Sequence, residues 1–176
     1  MIISRQKREE NIAEYLIYMY QVEDLIRANE FDPGRIEQTI INKFDASYDT
    51  RREMLEWYKS LIGKLRDEGK IRSGHLNFLN KIAVDLNRLH LALLNNEQET
   101  EYREAYERAR SNIDLLKMRS GSTGEHDIQV MLNGIYGLLI LRLQKKAVSD
   151  ETEDAFRTIT DLVALLSAKF SEREVP

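Results

Sequence analysis

No cysteine occurs among the 176 residues. That absence removes disulfides, thiolate catalysis and every metal site with a cysteine ligand, and it fits a reducing compartment. Proline is nearly missing too: Pro33 and terminal Pro176 are the only two, so little along the chain interrupts helical hydrogen bonding. No apolar run reaches the roughly 18 residues that a bilayer-spanning helix requires. The longest, residues 130–143, is interrupted by Asn133 and Arg142 and reads as a central core helix. A basic excess is also lacking. The chain carries 26 Lys and Arg against 30 Asp and Glu, a formal net charge of −4, and no segment gathers the cations that a phosphate backbone demands. Only Met1, Ile2 and Ile3 precede Arg5, Lys7 and Arg8, which is not the apolar stretch of a secretory signal. The expectation is a cytoplasmic, water-soluble protein with no membrane span and with nucleic acid disfavoured as a partner.

What is present is enough apolar material for a core. Hydrophobic residues make up 42% and charged residues 32% of the chain, a balance typical of folded domains rather than disordered ones. Apolar residues recur at spacings of three and four nearly everywhere, and no alternating strand pattern of useful length is found. The fold class expected is therefore all-α, a compact array or bundle of six to seven helices forming one domain over residues 1–176. The flexible stretch 120–124, reading Ser-Gly-Ser-Thr-Gly, is the one weak break.

The helices can be bounded from their caps and stripes. The first spans about residues 4–29, with Ile12, Leu16, Met19, Val22 and Ile26 inward. Asp32 followed by Pro33 caps a short second helix to about Lys43. The third occupies about residues 48–68 and stops at Gly69. Ser73 is the expected cap of the fourth, which places His75 in its first turn and ends at Asn95-Asn96. A charged fifth helix leads to the linker. The sixth covers about residues 125–146, where Gly134 and Gly137 thin one side and invite a close neighbour. Ser149, followed by Asp150, Glu151, Glu153 and Asp154, caps the seventh, which runs to about Glu172.

Chemistry-bearing patterns are sparse. Neither Glu-x-x-His nor His-Glu-x-x-His occurs, so no metal site and no cofactor is expected. Gly121 and Gly124 precede a helix, but no phosphate-loop lysine follows, and Glu125 and Asp127 would repel an anion. In the most apolar stretch of the first helix, Glu23 and Asp24 both fall at ion-pair spacing from Arg27. Glu14, Tyr18 and Gln21 share a face and are left over. Together with His75 and His90 they form the candidate polar pocket between helices, although a hydrogen-bonded core histidine is the commoner fate of a buried imidazole. Trp57, beside Tyr58, is the candidate partner contact or equally a core residue. No catalytic residue can be assigned.

Several segments carry a resemblance: Lys7-Arg8 with Asn11-Ile12-Ala13-Glu14-Tyr15-Leu16-Ile17-Tyr18-Met19, then Glu23-Asp24-Leu25-Ile26-Arg27-Ala28, Ser73-Gly74-His75-Leu76, Leu89-His90, Gly134-Ile135-Tyr136-Gly137 and Leu141-Arg142-Leu143. Through them nearly the whole chain resembles a bacterial family of about this length, found mainly in Bacteroides and relatives and catalogued as domain-of-unknown-function family 4924. Tyr20 stands where that family more often has tryptophan. The resemblance implies one helical cytoplasmic domain and carries over no catalytic residue. The function expected is a helical scaffold or protein-interaction module, as a homodimer or with another protein. A small-molecule-binding protein or enzyme is the alternative.

Overall fold

A computed structural model describes residues 7, 8 and 10–174. Among them are seven α-helices, one 3-10 turn and no strand. The first helix, α1 (Ile12–Ala28), begins at the first residue of its apolar stripe. Asn11 adopts an extended backbone, φ −155°, and its side chain accepts the Ala13 and Glu14 amides at 3.1 Å each. A side-chain acceptor at that point competes successfully with continuation of the helix. The expected start at Ser4 lies outside the described residues. From this cap onward α1 is buried on most sides, from Ile12 through Leu16, Met19, Tyr20 and Val22 to Ile26.

Two residues with left-handed backbone, Glu30 and Phe31, turn the chain. Asp32 then accepts from Gly34 and Arg35, and Pro33 opens α2 (Pro33–Thr39), followed by the 3-10 turn Ile41–Lys43. Ser47 caps α3 (Tyr48–Asp67) through the Thr50 amide, and Gly69 ends it with φ +67°. Met54, Tyr58, Leu61, Ile62 and Leu65 of α3 are buried, and Leu55 is half-buried.

The fourth helix, α4 (Asn77–Leu94), corrects the expected boundary. Ser73 does not cap it, and His75 lies before it rather than in its first turn. Gly74, at φ +84°, directs the chain away from helical geometry. The first amides are taken instead by carboxylates from other helices: Glu23 accepts from Leu76 and Glu68 from Asn77. After Asn95 come α5 (Thr100–Ser120), closed by Gly121, then α6 (Asp127–Leu143) and α7 (Asp150–Glu174). His126 caps α6, its Nδ1 accepting the Gln129 amide at 3.2 Å. Ser149 Oγ accepts the Thr152 amide at the start of α7.

One contiguous apolar cluster joins Ile12–Ile26 of α1 with Leu61 and Leu65 of α3, Leu79, Leu86 and Leu93 of α4, Ile113 of α5, Met131 of α6 and Leu162 of α7. Helix α1 touches α3, α4, α6 and α7, while α5 and α7 form the most extensive pair. The close approach expected at the glycines is met at one of them. A Cβ at Gly134 would stand 2.5 Å from Leu116 Cδ2 and 3.2 Å from the Phe156 ring, whereas Gly137 faces open space. Among the described residues no helix is long and apolar enough to cross a membrane.

Candidate functional site

The polar groups inside this core gather into two clusters. The first is built around Glu23, which α1 holds in complete burial. A buried carboxylate must have its lone pairs used, and both oxygens are: Oε1 accepts the Leu76 amide at 2.9 Å and Oε2 lies 2.6 Å from His75 Nδ1. Glu23 therefore does not pair with Arg27, as spacing alone suggested. Arg27 bonds Asp24 at 2.8 Å and reaches across to the carbonyls of Lys70 and Gly74. Together Glu23 and Arg27, one helical turn apart, clamp the loop that carries His75.

The His75 ring is fixed on a second side by Tyr20, stacked at 3.5 Å between centroids and 17° between planes. Burial pushes the Tyr20 phenol up to about 12, against the opposing Gln129 hydrogen bond. That bond, from Gln129 Nε2 at 3.2 Å, ties the phenol to α6. Tyr136 meets Tyr20 edge-on and donates to Asp24 Oδ2 at 2.8 Å; burial, with Asp24 beside it, raises its phenol. His75 keeps 21% of its side-chain surface, and its Nε2 forms no hydrogen bond among the described residues. With Nδ1–H directed at a carboxylate, the lone pair on Nε2 is left free.

The second cluster surrounds His90 on α4, which is 1% exposed. Its Nδ1 is 2.7 Å from the Tyr102 hydroxyl, and the edges of Tyr102 and Tyr106 meet the ring. On the other side Asp127, in the first turn of α6, places Oδ2 3.7 Å from Nε2. Lys117 of α5 closes on the other Asp127 oxygen, and the Tyr106 hydroxyl donates to Oδ2 at 3.3 Å. His90 and the Lys117 ammonium hold the Asp127 carboxyl well below the usual carboxylate range, outweighing its desolvation. Burial lowers the neighbouring His126 imidazole. Three helices thus meet at one carboxylate, an arrangement that ties the linker after α5 to the core. Among the described residues no group of three or more His, Asp and Glu side chains is placed to hold a metal.

The five residues expected around one pocket do not share one set of contacts. His75 and His90 belong to the two separate clusters. Glu14 is exposed and pairs with Lys7 at 3.2 Å. Tyr18 and Gln21 are half-buried on α1, Tyr18 packed against the core with its phenol raised by burial and by Tyr58. Trp57 is half-buried, edge-on to Tyr58 at 5.0 Å. Sequence reading gave Glu23 to an ion pair with Arg27, took Asp127 only as a group that repels anions, and named Tyr20, Tyr102 and Lys117 in no candidate site. A usable signal existed for Glu23 alone: a carboxylate at a core position of an apolar helix needs a donor from elsewhere.

A third feature is on the surface. The ends of α5, α6 and α7 leave two adjoining grooves of about 290 and 390 Å³ that share Leu116, Thr152 and Phe156. One runs over Gly134, Gly137, Leu138 and Leu141 and is mainly apolar; the other is flanked by Arg119, Glu151 and Asp154. Leu115 and Leu141 on the groove walls stand exposed, as do Met118 and Leu143 on the same two helices, Met118 at 73%.

Comparison with known proteins finds the family model described as "Domain of unknown function (DUF4924)" matching residues 1–175. No curated protein and no solved structure matches the chain.

Proposed function

Because the chain belongs to that family of unknown function, we propose its role from its own surface: a cytoplasmic helical protein-interaction module that pairs with a second copy of itself. The observation that carries this reading is the groove of α5, α6 and α7. It is apolar along its floor, and Gly137 leaves a depression there that no side chain of the same molecule fills. Contiguous exposed apolar surface of this kind is costly in water unless covered. Its rim favours a second copy as the cover. Arg119 and Glu151 line the adjoining groove, which shares Leu116, Thr152 and Phe156 with the first, and neither has an ion pair or hydrogen bond from its side chain among the described residues. A surface with an unpaired cation and an unpaired anion on one rim is complementary to itself when turned through a two-fold axis. The absence of cysteine fits the cytoplasmic setting.

Sedimentation equilibrium of the intact chain tests the proposal. The expected mass is twice the 20.6 kDa of one chain, reduced to that of a single chain by Leu141→Glu or Met118→Glu with helical circular dichroism unchanged. A protein that stays monomeric at high micromolar concentration, or a dimer indifferent to both substitutions, would refute it.

A further inference from the structure

The interaction surface leaves the first buried cluster without a role, and Glu23 with His75 forms more than a structural pair needs. A carboxylate that only had to neutralise the α4 amides would be satisfied by Leu76 and a second backbone donor. Here its second oxygen fixes an imidazole in the tautomer with Nδ1–H inward, while Tyr20 fixes the ring plane. The other ring nitrogen, Nε2, is thereby left as a free lone pair on a ring that keeps 21% of its side-chain surface exposed. That is the arrangement of an activated nitrogen nucleophile, held by a neighbouring group that stabilises positive charge on the ring.

The loop that carries His75 is cationic. Lys70 and Arg72 lie on the same loop, five and three residues before His75, and neither side chain has a hydrogen bond or ion pair among the described residues. The Lys70 ammonium comes within 3.8 Å of the position a Cβ would take on Gly74, beside the histidine. Free cations at the entrance of a nucleophile select an anionic electrophile. The ring edge opens at a surface loop, so the electrophile can be carried by a large donor rather than enclosed.

We propose that His75 is a phosphoryl acceptor, its Nε2 taking a phosphoryl group from an acyl phosphate, with Glu23 as the positioning residue. The Nε2 lone pair forms the N–P bond while the P–O bond to the acyl group breaks, and the carboxylate leaves with that electron pair. The Nδ1 proton stays in place. The imidazolium charge created on the ring faces the Glu23 carboxylate, and Lys70 and Arg72 of the same loop supply positive charge for the transferred phosphoryl oxygens. His90 is fully buried, and His126 spends its Nδ1 as a helix cap, so neither competes.

The test is incubation of the full chain with acetyl phosphate, followed by intact mass measurement and peptide mapping under alkaline conditions, where phosphohistidine survives. The expected result is a gain of one phosphoryl group, located on His75, lost on acidification and absent from His75→Gln. Glu23→Gln should slow the gain about tenfold or more, the scale on which removal of a partner that orients a histidine is felt. In the same variant, ring ¹⁵N spectra should show His75 losing its preference for the Nδ1–H tautomer, a change that mere loosening of the fold would not single out. No mass gain in the unmodified chain, a gain mapped to His90, His126 or a hydroxyl, or an undiminished gain in His75→Gln would overturn the proposal. Should both variants fail to fold, the mapping on the unmodified chain still decides it. Because dimerisation plays no part in the assay, its outcome is independent of the interaction surface.

Discussion

Single residues of this protein act mostly by satisfying one another across helices. Asp127 shows the energetics. Its carboxyl is held well below its ordinary value by His90 and Lys117, so the folded state binds that proton less readily than the unfolded chain does. A depressed carboxylate stabilises the fold at pH values above the unfolded value and loses that contribution as pH falls through the folded one. Asp127→Asn removes the charge while leaving the shape. It is expected to cost about 1–3 kcal/mol at pH 7, the range for breaking a buried charge-assisted contact, and progressively less below about pH 4, the unfolded carboxylate range. Urea unfolding of both chains at pH 7 and near pH 3 checks this; an equal difference at the two values would show that Asp127 acts through packing and not through charge. None of this was legible from spacing. Asp127 reads as an ordinary first-turn acidic residue, because its partners come from α4 and α5, 37 and 10 positions away.

At the scale of elements, the sequence was most informative where local chemistry decides. Asp32-Pro33, Gly69 and Ser149 mark boundaries that depend only on neighbouring backbone, and the helices begin or end there. Reading failed where a distant group took over a cap, as Ser73 lost to Glu23 and Glu68, and where a local cap was overlooked, as at Asn11, which opens α1. The glycines separate the same two kinds of cause. Gly63 lies inside α3 with nothing within 4 Å of a Cβ placed there, while Gly134 lies under Leu116 and Phe156. Gly63→Ala should therefore gain helix propensity alone, about 0.5–1 kcal/mol. In Gly134→Ala the same gain is opposed by displacement of Leu116 and Phe156, a packing cost of about 1–3 kcal/mol, so the net change is expected to be destabilising. Thermal unfolding compares the two, and an equal rise in midpoint for both would mean that α5 and α7 yield freely around α6.

For the whole molecule, the all-helical architecture follows from periodicity, the near absence of proline and the lack of alternating runs, all of which are local statistics. The location of the surface that matters is not, because the grooves exist only where α5, α6 and α7 come together around Gly134 and Gly137. Leu115 and Met118 belong to a helix that reads merely as charged, and nothing in their spacing shows that they stay uncovered. If a second copy covers them, the rim charges supply a sharper test than apolar substitutions. In a two-fold pair, Arg119 of one chain faces the region of Glu151 of the other, and the reciprocal contact forms at the same time. Arg119→Glu then sets like charges against each other at both contacts and is expected to raise the dimer dissociation constant about tenfold, one to two kcal/mol for two rim pairs in water. Adding Glu151→Arg to the same chain reverses both signs and should return the constant to near its original value. Sedimentation velocity at low and high salt reads the cycle. Recovery in the double variant, stronger at low salt, requires that Arg119 and Glu151 meet across the axis; additive losses would place the second copy on some other face.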